Sequence, residues 1–166
     1  FGVSKVNSKD QLAPAIRKAM MESPEVMVEQ YLKGTEISIG CYKTKKKSVV
    51  LPATEVVTNN EFFVFVAKYN GQVQEITPAR LNEDTARRVA ELTSHIYDIL
   101  HCNGIIRIDY IICRGLNKDG EEVDKIYMLE VNTTPGMTAT SFIPQQVKAA
   151  GLNMADVLTE IVENQF

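Results

Sequence analysis

A predicted β-hairpin around Asp119-Gly120 is the feature that most restricts how this chain can fold. Asp-Gly is a strong signal for a two-residue turn, because both turn positions need backbone angles that these residues tolerate. Apolar and polar residues alternate before and after the turn, so one face of the strand pair is apolar and the other is polar. The apolar face is predicted to carry Ile106, Ile108, Tyr110 and Ile112 on the first strand, and Tyr127, Leu129 and Val131 on the second.

The polar face of this hairpin brings charged and amide side chains together. The predicted turn pairs Asp109 with Glu130 and Arg107 with Asn132, and directly opposed Cβ atoms lie about 5 Å apart. Two carboxylates that close repel each other and need a compensating cation, and oxygen ligands favour magnesium over zinc. A metal site is therefore one interpretation. A surface salt bridge of Arg107 with Asp109 or Glu130, next to a solvated Asn132, is the other. A β-bulge would move the pairing by one residue.

A turn follows directly after the second strand. Thr133, Thr134, Pro135 and Gly136 come after Asn132, and the glycine permits backbone angles and a close ligand approach that a side chain would forbid. Backbone amides exposed at such a turn are suited to holding an anion.

The composition is that of an ordinary globular protein. The 166 residues suit one domain or two small lobes, with 45% apolar and 23% charged residues. A net charge of -3 gives no electrostatic case for binding nucleic acid. The basic cluster of Lys43, Lys45, Lys46 and Lys47 is interpreted as a solvated turn between two strands. No apolar run has the length of a membrane span, so we expect no membrane partner.

The cysteines indicate the redox compartment of the chain, and its first residue bears on whether it is part of a longer protein. Three cysteines, without metal-like spacing, indicate neither a disulfide framework nor a zinc site, which favours a reducing compartment. The chain begins at Phe1 without a methionine, inside what reads as a structured segment. We therefore expect it to be a piece of a longer protein.

The remaining chain is predicted to alternate between strands and helices. The predicted strands cover a short stretch before Asn7, then residues 26–32, 36–42 and 48–51. The predicted helices begin at Ser8 with a capping box to Gln11, at Asn82, near Pro144 and at Asn153. The Asn82 helix is expected to bury Val89, Leu92, Ile96, Ile99 and Leu100.

Residues 58–81 are predicted to be weakly regular, with at most a short strand over residues 62–66. A segment this long in a compact domain is usually functional or disordered. Its Phe, Lys and Tyr residues favour a lid over a ligand, and a partly ordered surface loop is the alternative.

With these motifs in place, the chain resembles the C-terminal half of the D-alanine:D-alanine ligase family, whose members have the ATP-grasp fold. The stretch from Glu130 to Ser141 is similar to the family signature E-x-N-T-x-P-G-M-T. Further similar motifs, in the order and spacing of the family, are Arg107-Ile-Asp109, Glu29-x-x-Leu32 with Glu36, and Ala67-Lys68-Tyr69. The resemblance covers nearly all of the chain.

The resemblance implies an α+β protein, the C-terminal portion of an ATP-grasp fold with an antiparallel sheet flanked by helices. Residues 1–33 would be a remnant of the central subdomain, and residues 34–166 the C-terminal subdomain with the metal and substrate site. Homodimers are usual in the family. Its phosphate-binding lysines and its N-terminal domain lie upstream of the region that this chain resembles, so we expect the chain alone to be inactive.

The resemblance also implies a reaction, the ATP-dependent joining of two D-alanines for peptidoglycan synthesis in the cytoplasm. The first D-alanine becomes an acyl phosphate, which the amine of the second attacks. Asp109, Glu130 and Asn132 would hold two magnesium ions, or manganese, that bridge the ATP phosphates. Arg107 and the Gly136 amide would stabilise the tetrahedral adduct. Ser141 would take the carboxylate of the second D-alanine.

The remaining implied contacts concern the nucleotide and the acceptor. Glu29, Gln30, Tyr31 and Leu32 resemble the hinge that meets adenine through its backbone, although the family often has Lys at the position of Gln30. Glu36 resembles the ribose contact, while Leu129 and Phe62 would pack on the adenine. Lys68 and Tyr69 fall in the family's closing loop. Tyr69 favours an amine acceptor, because related D-lactate ligases tend to carry another residue there.

Three other functions compete with this interpretation. The nearest is another ATP-grasp ligase, such as a D-alanine:D-lactate ligase, against which Lys68-Tyr69 and the signature argue. A nucleotide- or metal-binding module without catalysis would have no need of Arg107. An α+β interaction domain is the third alternative.

Overall fold

The structure, a computed structural model, describes residues 2–58 and 73–166. The chain separates into two compact units, Phe1–Lys33 and Gly34–Phe166. Assigning these two units to the central and C-terminal subdomains of an ATP-grasp protein stays a prediction. Among the helices of the described residues, none has the length and apolarity required to cross a bilayer.

The first unit contains the helix α1 (Lys9–Ala19). Ser8 is its N-cap residue as predicted, but the Ser8 side chain makes no capping hydrogen bond. The side chain of Gln11 instead accepts a hydrogen bond from the Asn7 backbone N–H at 2.9 Å. The strands predicted before Asn7 and over residues 26–32 do not form. A strand needs backbone hydrogen bonds to a neighbouring strand, and the described residues of the first unit contain no such partner.

The second unit is built on one antiparallel sheet, in which six strands are described. They are β1 (Thr35–Lys43), β2 (Ser48–Val50), β3 (Thr54–Thr58), β4 (Val73–Ile76), β5 (Ile105–Leu116) and β6 (Glu122–Asn132). Their order is β4-β3-β1-β5-β6, and β2 also pairs with β1. The predicted pairing through the lysine turn is confirmed, since Lys43 is opposite Ser48 and Cys41 is opposite Val50.

Strand β4 corrects the prediction for residues 58–81. Residues 73–76 pair with β3, although that segment was predicted to hold at most a strand over residues 62–66. Four residues give too short an alternating pattern to be recognised without a partner strand. The predicted strand over residues 62–66 lies outside the described residues.

The β5–β6 hairpin forms, but its turn differs from the predicted one. The connecting loop covers residues 117–121, and the Asn117 side chain accepts hydrogen bonds from the N–H groups of Asp119 and Glu121, both at 2.9 Å. The register then shifts between Asp109 and Tyr110, where β6 contains one extra residue. The longer loop shifts the pairing of β5 with β6 by one residue, and the bulge shifts it back by one residue, so the two displacements cancel beyond the bulge. The predicted pairs of Asp109 with Glu130 and Arg107 with Asn132 are therefore present.

The bulge also changes which residues of β6 face the core. Ile126 and Val131 pack against the core that includes Ile108. Tyr127 and Leu129, which were predicted on this face, are 37% and 46% exposed. That part of the prediction was wrong, because the extra residue reverses the alternation along the strand.

Helices cover both faces of the sheet. They are α2 (Glu83–Ile99) on one face, and α3 (Phe142–Ala149) with α4 (Met154–Glu163) on the other. The core beneath α2 contains Ile37, Ile39, Cys41, Val89, Tyr97, Ile106, Ile108, Tyr110 and Ile112. The core beneath α3 and α4 contains Tyr42, Leu51, Ile105, Ile143, Val147 and Val157. The predicted N-caps Asn82 and Asn153 both accept capping hydrogen bonds.

The buried side of α2 differs in part from the predicted one. Val89 is buried as expected, but Ile99 and Leu100 are 59% and 53% exposed. Thr93 and Tyr97 turn inward instead. Because Ile99 follows Thr93 by about 1.7 helical turns, it lies away from the buried side.

Gly40 of β1 lets α3 lie directly against the sheet. A Cβ atom on Gly40 would lie 2.6 Å from Ile143 Cδ1 and 2.9 Å from Gln146 Oε1. We expect Gly40→Ala to lower the free energy of unfolding by about 1–3 kcal/mol through overpacking, measured by urea denaturation. Gly115→Ala is the control, because its Cβ would meet the flexible side chain of Lys125. A Gly40→Ala variant as stable as the control would contradict this packing.

Candidate functional site

The predicted polar residues gather on the sheet face that α3 and α4 cover. Ser38 on β1 is paired with Asp109 on β5, which is in turn paired with Glu130 on β6. In the neighbouring pair, Arg107 is opposite Asn132. The side chains of directly paired residues point to the same face of a sheet. Three strands thus bring two carboxylates, a guanidinium, an amide and a hydroxyl to one place.

Arg107 and Asp109 form a largely buried, two-point ion pair. Arg107 Nε donates to Asp109 Oδ1 at 3.0 Å, and Nη2 donates to Oδ2 at 2.8 Å. Their side chains are 17% and 15% exposed, whereas that of Glu130 is 64% exposed. The same Nη2 lies 3.6 Å from Glu130 Oε1. The salt-bridge alternative is thus realised for Arg107 and Asp109, but in a position too buried for an ordinary surface pair.

The oxygen donors around this ion pair fit a hard divalent cation. An ionised carboxylate offers about four acceptor sites, and Asp109 accepts two hydrogen bonds from Arg107 and one from Ser38. Asn132 Oδ1 accepts the Thr134 N–H at 3.0 Å and keeps a second lone pair. Within the described residues, no group of three or more His, Cys, Asp or Glu side chains is suited to a metal. A metal site here would therefore need the Asn132 amide as its third protein ligand.

Glu36 lies on the same face, two residues before Ser38 on β1. It is half-buried. Burial raises the pKa of Glu36 above its ordinary value, and the negative charge of Asp109 raises it further. Ionising Glu36 therefore costs more free energy in the folded chain than in the unfolded chain.

This raised pKa predicts how the stability of Glu36 variants depends on pH. The native state keeps the Glu36 proton at pH values where the unfolded state, with its ordinary pKa of 4.5, has lost it. Stability is therefore lost as the pH rises through this range. We expect Glu36→Gln to raise the melting temperature relative to wild type more at pH 7 than at pH 4. The exposed Glu122→Gln is the control, and an equal difference at both pH values would contradict the assignment.

The signature turn lies next to this cluster, at the start of α3. Ser141 is the N-cap residue of α3, and its hydroxyl lies 2.8 Å from Thr138 Oγ1. A Cβ atom on Gly136 would lie 2.8 Å from Ser141 Oγ, so the glycine leaves room for this hydroxyl. The Arg107 guanidinium lies over the ring of Phe142, with its Cζ 5.5 Å from the ring centroid. The structure thus brings Gly136 and Ser141 together, and Phe142 links Arg107 to the same helix.

The predicted nucleotide contacts have different outcomes. Leu129 is the extra residue of the bulge in β6, and it is 46% exposed beside Glu130. Glu29, Gln30, Tyr31 and Leu32 lie in the first unit without forming a strand. The Lys5 ammonium lies 4.2 Å from the centroid of the Tyr31 ring. Phe62, Lys68 and Tyr69 lie outside the described residues.

Three residues of the site were missed at the sequence level. Ser38 reaches Asp109 because β1 pairs with β5, a pairing between strands far apart in the chain that no local pattern signals. Phe142 contacts Arg107 through a helix from yet another region. Gln146 is fully buried and donates to the Ser38 carbonyl at 2.9 Å, although glutamine is a residue type that is mostly exposed. None of the three carries a motif that could have identified it.

Comparisons with known proteins find relatives of this chain by sequence and by structure. A family model described as "D-ala D-ala ligase C-terminus" matches residues 1–163. A D-alanine--D-alanine ligase of Bacteroides fragilis is 64% identical over 166 residues, which are 100% of this chain and 49% of that protein. The chain spans about half the length of the curated relatives it matches.

Solved structures give the same result for the fold. The VanG D-Ala:D-Ser ligase of Enterococcus faecalis matches with a TM-score of 0.78 and 29% identity, over 100% of this chain and 46% of that chain. The D-alanine--D-alanine ligase of Bacillus anthracis complexed with ATP matches with a TM-score of 0.68 and 30% identity, over 96% and 47%. These matches confirm the predicted α+β, ATP-grasp architecture. The chain therefore belongs to the family of the D-alanine:D-alanine ligase C-terminus.

Proposed function

We propose that the complete protein containing this chain joins two D-alanines to D-alanyl-D-alanine with ATP, in the cytoplasm, for peptidoglycan synthesis. The observation that carries the proposal is the pairing of Asp109 with Glu130 and of Arg107 with Asn132. The names of the matched relatives support the reaction, and the ATP complex of one structural neighbour supports the nucleotide.

Asp109, Glu130 and Asn132 are the residues that would hold two magnesium ions, or manganese, against the ATP phosphates. When bound, the ions offset charge on the attacking and leaving oxygens of phosphoryl transfer. Glu130 is exposed enough to turn toward a ligand, while Asp109 is fixed by its hydrogen bonds. The chain therefore supplies one rigid and one adjustable carboxylate.

Arg107 and the Gly136 amide are assigned to the oxyanion of the tetrahedral adduct. The guanidinium lies over Phe142, so its position is set before the substrates arrive. Preorganised donors of this kind stabilise a transition state because they need no rearrangement as charge develops. Ser141, at the N-cap of α3, would receive the carboxylate of the second D-alanine, where the positive end of the helix favours an anion.

The nucleotide is assigned to the exposed side of β6 and to more distant parts of the chain. Leu129 presents an apolar side chain beside Glu130, which suits an adenine ring. Phe62 would pack on the same ring, and Glu36 would meet the ribose. The backbone of residues 29–32 would meet the adenine edge. Lys68 and Tyr69 are assigned to closing the site, with Tyr69 selecting the acceptor.

We infer that this chain alone does not turn over, because the family's phosphate-binding lysines and first D-alanine site belong to the half that it does not match. A homodimer of the complete protein, usual in this family, belongs to the same proposal.

The test is phosphate release from ATP and magnesium by the complete protein, with the products identified by mass spectrometry. We expect release that depends on D-alanine, with D-alanyl-D-alanine as product even when D-lactate competes. D-Serine is a necessary third acceptor, because one structural neighbour is a D-Ala:D-Ser ligase. A mixed product would move the function to a related ligase. ATP binding without release for any acceptor would favour a non-catalytic module.

A further inference from the structure

The hydroxyl of Ser38 makes a short contact with the carboxylate of Asp109. Ser38 Oγ donates to Asp109 Oδ1 at 2.6 Å, a distance typical of a hydroxyl bonded to an ionised carboxylate. The two residues are directly paired on β1 and β5. Ser38 is 1% exposed, so water has little access with which to replace this hydroxyl.

The two hydrogen-bond partners of Asp109 among the described residues differ in charge. Arg107 is a cation, so its interaction with Asp109 competes with any metal ion that approaches the same carboxylate. Ser38 is neutral and donates to Oδ1 from the β1 side, so its hydrogen bond is compatible with a cation at the remaining lone pair of Asp109 Oδ2. Hydrogen bonds of this kind orient ligating carboxylates and raise metal affinity.

The backbone around Ser38 is fixed by the buried side chain of Gln146. Strand β1 changes partner from β3 to β2 between Ser38 and Cys41, which leaves a gap in the ladder. Gln146 Oε1 accepts the Gly40 N–H at 2.8 Å, and Nε2 donates to the Ser38 carbonyl at 2.9 Å. Nε2 also donates to Thr54 Oγ1 at 3.0 Å. A shift of Ser38 would leave these buried groups unpaired, which is costly.

We propose that Ser38, held in place by Gln146, is a positioning residue for Asp109 that raises the affinity of the site for its divalent cation. This inference rests on the proposed function, because it takes Asp109 as a metal ligand. It adds to that function a residue of β1 that contacts neither metal nor substrate.

The test uses Mn²⁺ as the probe, with binding to the complete protein followed by electron paramagnetic resonance in the presence of a non-hydrolysable ATP analogue. We expect Ser38→Ala to raise the Mn²⁺ dissociation constant about tenfold or more. Ser38→Thr, which keeps the hydroxyl, should bring it back to within about threefold of wild type. In turnover assays, Ser38→Ala should raise the magnesium concentration for half-maximal rate more than it lowers kcat at saturating magnesium.

The matched control is Thr93→Val, which removes a buried hydroxyl from the opposite face of the sheet. Thr93 Oγ1 lies 3.0 Å from the hydroxyl of Tyr110, the residue after Asp109. This control should lower the melting temperature without changing Mn²⁺ affinity. Unchanged affinity in Ser38→Ala, or equal losses in Ser38→Ala and Ser38→Thr, would overturn the role of Ser38. Absence of Mn²⁺ binding in the wild type would instead overturn the proposed metal site itself.

Discussion

Replacing Arg107 with lysine should lower kcat of the complete protein about 10²–10³-fold, the usual cost of losing one preorganised oxyanion donor. Lysine keeps the charge but not the planar fork that contacts both oxygens of Asp109. Because the proposed interaction forms in the transition state, kcat and kcat/KM should fall by similar factors. Steady-state kinetics of phosphate release would measure both.

Arg80→Lys is the matched control for this substitution. Arg80 also makes a two-point ion pair, with its Nε 2.9 Å from Glu55 Oε2 and its Nη2 2.6 Å from Glu55 Oε1, but outside the candidate site. The control should keep nearly full activity. If both variants lost activity equally, the loss would reflect disruption of an ion pair, and the assignment of Arg107 to the oxyanion would be wrong.

Replacing Glu130 with glutamine should lower kcat/KM about 10³-fold or more, since a bound metal supplies several kcal/mol of charge stabilisation to phosphoryl transfer. Glu130 is 64% exposed, and among the described residues its one ion-pair contact, at 3.6 Å, is with Arg107. The fold should therefore tolerate the change. Circular dichroism and melting temperature close to those of wild type would separate lost chemistry from lost structure.

The exposed Glu122 at the other end of β6 provides the control for Glu130. Glu122→Gln removes the same charge from the same strand, next to the hairpin loop. It should leave both the rate and its dependence on magnesium unchanged. A Glu130→Gln variant that kept the magnesium dependence of wild type would exclude Glu130 as a metal ligand.

The positions of the proposed metal ligands could be predicted because their signals are local. Strict alternation and an Asp-Gly turn place Asp109 opposite Glu130 without reference to the rest of the chain. The agreement was partly fortunate, because the loop is longer than predicted and the bulge near Leu129 compensates for it. The exposed side of β6 was predicted wrongly for the same reason.

The other elements of the site could not be predicted because they depend on contacts between distant segments. The pairing of β1 with β5 brings Ser38 to Asp109, and α3 brings Gln146 to β1. Neither contact has a signature in the residues themselves. The strand predicted over residues 26–32 was wrong for the converse reason: its local pattern indicates a strand, but the strand does not form. An apolar stretch becomes a strand only when a neighbouring strand supplies backbone hydrogen bonds.

The most direct test of this account is the location of Mn²⁺ by anomalous diffraction from crystals of the complete protein with a non-hydrolysable ATP analogue. We expect anomalous peaks at bonding distance, about 2.1 Å, from oxygens of Asp109, Glu130 and Asn132. Ions bound to the nucleotide but away from these three side chains would contradict it, whatever the activity of the protein.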